Sequence, residues 1–211
     1  MTTTTARPGP ATTTPRPMAV AAPVRRTARI SATALAALTV LSVPATALLD
    51  TADRPGTRTL VGASFVAVAA LEVVVGWGLY TLLRDRAHSP AYAALVSRGG
   101  YAVLLTAAAG RLLWPGGDGV AGFRSDWSLA LVVLGVHLLV TSIALWCAHR
   151  VPGAVVAGTV LAGTASLLAA AGGGLPLPDV LPGAGALLPA VLGEVVLLAW
   201  LVMVGWDDTA G

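Results

Sequence analysis

The chain has 211 residues, of which 56% are hydrophobic and 11% charged, and its mean hydropathy is +0.80. Soluble domains carry about 25% charged residues, so this chain has too little charge to cover a water-facing surface and reads as one solvated by lipid. Its 13 basic residues are all Arg; they gather in one tail and one loop, which marks membrane orientation rather than a nucleic-acid footprint.

Ala, Gly, Pro and Arg dominate, all drawn from GC-rich codons, which points to a bacterial source. Cys147 is the single cysteine, so an intrachain disulfide is excluded and no zinc pattern exists. Residues 1–29 are a Thr/Pro/Ala/Arg tail with almost no large apolar side chains, too few to offset the entropy of ordering, and are expected to be disordered. The tail ends on Arg25, Arg26 and Arg29.

The first apolar run, 30–49, has about the 20 residues that cross a bilayer, with Pro44 near its far end. A rival reading is a secretory leader cleaved after Ala45-Thr46-Ala47; the long basic tail and the length of the run favour a retained span. Five more spans follow: 59–83, 92–114, 127–148, 154–171 and 186–205. With the N-terminus inside, Arg7, Arg16, Arg25, Arg26, Arg29, Arg84, Arg86, Arg98 and Arg150 fall on the cytoplasmic side. Arg54, Arg58, Arg111 and Arg124 fall outside, a balance of nine to four that satisfies the positive-inside rule. Trp114 and Trp127 flank one outer loop, and Tyr80, Tyr92, Trp146 and Trp206 lie near the inner face, as an aromatic belt requires. No motif of the first three spans recurs in the last three, so an inverted-repeat transporter has no support.

Ala154, Gly158, Ala162, Ala165 and Ala169 share one face of the fifth span, a small-residue stripe of the kind that lets helices approach closely in lipid; chance alone also produces such stripes in so Ala-rich a chain. This helix is expected inside the bundle. The outer loop 172–185 is rich in Gly and Pro with one charge, Asp179; it is a plain connection or a segment lying over the outer mouth.

Glu72, His137 and Glu194 each fall near the centre of a span, roughly 3 Å from the midplane at 1.5 Å per residue. A charged side chain at that depth costs about 2.5–3.5 kcal/mol on insertion scales, so these residues are expected to face inward. Thr141 lies one turn from His137, Gly76 one turn from Glu72, and Arg111 is placed to reach either the outer surface or a buried Glu. Arg98 is expected to snorkel to the interface. The candidate site is therefore Glu72, His137, Glu194, Thr141 and Arg111. It is read either as a hydrogen-bonded device that holds helices in register or as a proton, ion or polar-ligand site. Catalysis has no motif behind it: no H-E-x-x-H, nucleophile elbow, phosphate loop or dinucleotide fingerprint occurs, and no metal or cofactor is indicated.

The segments GVHLLVTSIALW (135–146), RVPGAVVAGTVLAGTASLL (150–168) and GEVVLLAWLVMVGW (193–206) resemble the bacterial membrane family known as domain of unknown function 4386. GWGLYTLLR (76–84) is similar to the close of that family's second helix. The likeness spans roughly 28–206 and departs from the family in placing Arg150 before Pro152 and in a third span with fewer matching positions. It implies six helices with His137 and Glu194 on motif positions, and no known activity.

The expected fold is thus all-α, an integral membrane bundle of six transmembrane helices (30–206) between a disordered cytoplasmic tail (1–29) and a short cytoplasmic tail (207–211). The expected setting is a bacterial plasma membrane with both termini cytoplasmic. The expected partners are the lipid bilayer and other membrane proteins or further copies of the chain. The expected role is a non-catalytic membrane component, against a small carrier or proton-coupled binder and, third, an intramembrane enzyme.

Overall fold

The computed structural model describes residues 22–52, 54–114, 116, 118–149, 151–171 and 188–206. Five helices account for nearly all of them: α1 (Ala22–Leu48), α2 (Pro55–Leu113), α3 (Gly119–Cys147), α4 (Gly153–Ala170) and α5 (Leu188–Trp206), with a 3-10 turn, Leu49–Thr51, closing α1. Among the described residues, α1 with its 3-10 turn, α2, α3 and α4 are each long and apolar enough to cross a membrane, and Val191–Trp206 of α5 is a shorter apolar helix.

The count of five differs from the six expected spans because only one residue, Ala87, leaves the helical conformation between the second and the third. Straight, the 59 residues of α2 would measure about 90 Å, three bilayer cores deep. Instead the helix breaks at Ala87 (φ −143°, ψ 51°) and doubles back, so that a Cβ on Gly62 would stand 2.8 Å from the Leu113 side chain. Pro90 is the reason the break is so short. It is the third residue of the arm 88–113, where a helix has no partner for the backbone N–H that proline lacks. Tyr80, His88 and Tyr92 staple the bend: the His88 and Tyr92 rings stack at 6.5 Å, and the Tyr80 hydroxyl lies 3.5 Å from His88 Nε2.

Two other boundaries move outward for similar reasons. The N-terminal tail was expected to reach residue 29, yet α1 begins at Ala22. Pro23 is tolerated in a first turn, and Arg29 is tied down, its Nε donating to the Gly205 carbonyl at 2.7 Å and its guanidinium lying 5.3 Å from the Trp206 ring. The fourth span was expected from 127, yet α3 starts at Gly119, because Phe123 is fully buried against Phe65 and Trp127, with centroids 4.8 and 5.0 Å away. The expected tail residues 1–21, the loop 172–185 with Asp179, and the C-terminal tail 207–211 lie outside the described residues.

The helices pack in a closed succession. α1 lies against α2 and α5, α2 against α3, α3 against α4, and α4 against α5. Leu35, Phe65, Val75, Leu105, Leu138, Leu197 and Leu201 fill the interior. Outward, Val40, Val103, Ile143, Trp146, Leu161 and Met203 are exposed across all five helices, an apolar exterior that lipid, not water, would cover. α4 is not enclosed as expected: it sits between α3 and α5 and leaves Val160, Leu161 and Leu168 bare.

Candidate functional site

Both arms of α2 and one face of α3 converge on a buried charged chain. Glu72 comes from the arm 55–86, Arg98 from the arm 88–113, and His137 and Thr141 from α3; their exposures are 2%, 0%, 1% and 0%. Arg98 Nη2 forms an ion pair with Glu72 Oε2, a close charge contact rather than an aligned hydrogen bond. Arg98 Nη1 lies 3.0 Å from His137 Nε2, and Thr141 Oγ1 lies 3.3 Å from the same nitrogen. On the other side of the ring, His137 Nδ1 is 2.8 Å from the Ala94 carbonyl, with Ser97 Oγ at 3.4 Å.

These partners determine where the imidazole proton sits. A guanidinium can only donate, so Nε2 must carry the lone pair that accepts from Arg98; a carbonyl can only accept, so Nδ1 must carry the hydrogen. His137 is therefore the neutral Nδ1–H tautomer, with both ring nitrogens engaged. The chain carries one negative and one positive charge, on Glu72 and Arg98, and they neutralise each other.

Arg98 corrects the expectation that it would snorkel. Its arm begins at 88 rather than 92, so Arg98 lies between two and three residues, roughly 4 Å, from the arm's middle, too deep for its stem to reach an interface cheaply. Room for that stem exists because residue 76 is glycine: a Cβ there would meet Arg98 Cδ at 3.2 Å.

Arg111 does not join the cluster. It faces the opposite end of the bundle, its Nε donating to Asp126 Oδ2 at 2.9 Å with the side chain 49% exposed. Glu194 is half-buried on α5 and within electrostatic range of Glu72, Arg98 and Tyr101. Arg98 Nε, fully enclosed, has no acceptor among the described residues. The structure thus unites Glu72, His137 and Thr141 around a residue that was not in the expected set, draws Glu194 near, and sends Arg111 elsewhere. Arg98, Ser97 and the Ala94 carbonyl are the additions. One signal for them existed in the sequence: Ala94, Ser97 and Arg98 share one helical face, at spacings of three and one.

An all-helical bundle with an apolar exterior and a self-neutralised charged core fits a multi-pass membrane protein. No protein-family model, no curated protein and no solved structure matches the chain.

Proposed function

We propose that the chain is a six-pass, non-catalytic component of a bacterial plasma membrane, an accessory subunit or scaffold, with both termini cytoplasmic. The observation that carries this reading is the pairing of the Glu72 and Arg98 charges together with the engagement of both His137 ring nitrogens. A ring whose lone pair is taken by Arg98 and whose N–H is taken by Ala94 has nothing left to exchange with a substrate. Such a chain serves to hold three helical segments in register.

The reversal at Ala87 supports counting α2 as two passes. Orientation is supported by Arg25, Arg26, Arg29, Arg84 and Arg86 sharing one end, while acidic partners Asp50 and Asp126 accompany Arg124 and Arg111 at the other. With Arg98 withdrawn to the midplane, the expected balance becomes eight to four, still positive inside. Six passes is also what the resemblance to domain of unknown function 4386 implies, and that resemblance brings no activity.

The test is charge removal that preserves shape. With Glu72→Leu and Arg98→Met together, neither charge is left buried alone, so the protein stays folded and any cellular phenotype persists if the pair does no more than join helices. Loss of the phenotype with the fold intact would refute the structural role. Alkaline-phosphatase fusions active at residue 211 would refute the six-pass topology.

One observation favours a second reading, a small proton- or cation-coupled carrier: Glu194 is half-buried beside the cluster, and Glu72 and Arg98 act on it through charge without a direct hydrogen bond. On that reading Glu194→Gln abolishes the phenotype and leaves the fold unchanged; on the structural reading it alters neither.

A further inference from the structure

Between α1 and the arm 55–86 lies a groove of about 390 Å³, lined by Thr27, Ile30, Ser31, Val73, Val74, Trp77, Gly78 and Thr81. That volume falls within the roughly 300–1,000 Å³ of ligand-sized clefts. Its floor is the contact of Gly78 with Ser31, where any side chain at 78 would collide with Ser31 Oγ. Its walls, Ile30, Val73, Val74 and Trp77, are 50%, 51%, 40% and 59% exposed on the lipid-facing side.

Polarity changes along its length. Thr27 and Thr81 form the rim nearest the α1 N-terminus, and beyond them Arg26 stands one turn before Ile30 while Arg84 stands three residues after Thr81, so both cations continue the groove's walls. Among the described residues the one carboxylate at this end is Asp85, 3.6 Å from Arg84 Nε and 87% exposed. On α1 the groove covers only residues 27–31, about 6 Å of rise. That is short for a partner helix and suited to a single flexible chain.

We propose that this groove holds one anionic phospholipid, an acyl chain lying along Ile30, Val73, Val74 and Trp77 and the phosphate between Arg26 and Arg84. Apolar walls exposed to lipid supply the tail site. Two arginines facing, among the described residues, a single exposed carboxylate supply the charge complement that basic clusters beside a membrane span offer to anionic headgroups. The inference rests on membrane residence and is independent of what the buried Glu72–Arg98–His137 chain does.

The experiment uses the full-length protein, stripped of lipid in a neutral detergent and offered phosphatidylglycerol or phosphatidylcholine, with retained lipid read by native mass spectrometry. One phosphatidylglycerol per chain is expected to persist about tenfold better than phosphatidylcholine, and the preference to vanish in the doubly substituted R26Q/R84Q protein. Inorganic phosphate at equal concentration is expected not to displace it, since the tail supplies part of the binding. A phosphatidylglycerol bearing a photoreactive acyl chain should label peptides containing Ile30 or Val73–Trp77 in the unsubstituted protein. Equal retention of both lipids, a preference untouched by the double substitution, displacement by free phosphate, labelling confined to other helices, or a second copy crosslinked across the groove would each overturn the proposal.

Discussion

The two arms of α2 and α3 are joined at depth by charge; α3, α4 and α5 are joined by the absence of side chains. In the first region Arg98 bridges Glu72 and His137. In the second, a Cβ on Gly135 would lie 2.9 Å from the Gly163 carbonyl oxygen and one on Gly163 would lie 2.9 Å from that of Gly135, while a Cβ on Gly193 would lie 2.7 Å from the Gly158 carbonyl oxygen. Lipid gives helices no hydrophobic reason to associate, so contact must come from polar bonds or from close packing. This molecule uses one device on each side. A charged contact is vulnerable to losing a group, and a glycine contact to gaining one.

The largest expected effect follows from that vulnerability. Glu72→Leu leaves Arg98 buried without its counter-charge, and breaking such a pair from one side costs about 3–5 kcal/mol. Unfolding of the purified protein in detergent, followed by circular dichroism, is the measurement. Combining Glu72→Leu with Arg98→Met should recover most of the loss, and failure to recover would mean the pair matters for something besides neutralisation.

Next comes overpacking. Gly163→Val drives a branched side chain into the Gly135 backbone and should cost about 1–3 kcal/mol by the same measurement. Gly110, whose added Cβ meets nothing within 4 Å, is the control: Gly110→Ala should be stabilising by about 0.5–1 kcal/mol. Equal losses at 163 and 110 would show that helix flexibility, and not the α3–α4 approach, is what these glycines provide.

A smaller loss, about 1 kcal/mol, is expected for Arg58→Met. Arg58 Nε donates to the Leu112 carbonyl at 2.7 Å and Nη2 to those of Arg111 and Trp114 at 3.1 and 3.2 Å, so it caps the far end of the helix that it begins. The smallest effect belongs to Asp126→Asn, which removes the exposed pair with Arg111. Its unfolding midpoint should match the parent, with any difference disappearing in added salt; a salt-resistant loss would place that pair in the load carried by the fold.

Hydropathy and the cost of charge at depth were enough to read an all-α, lipid-solvated chain, the approximate spans, and the inward placement of Glu72 and His137, because both are local properties of a helix in hydrocarbon. The one-residue break at Ala87 was not legible, because a proline near the start of a new arm and a loop look alike until the two arms are seen to pack on each other. Nor was the role of Arg98. Whether a long cation snorkels or turns inward depends on where its arm begins, on the space opposite a glycine such as Gly76, and on a carboxylate from another segment. Between the two placements open to Arg111, packing chose the outer one: its partner, Asp126, lies on the first turns of α3, which the sequence pattern did not include and where Phe123 packs on Phe65. Depth could be counted along the chain, but pairing depends on which helices face each other, and tertiary packing alone decided that.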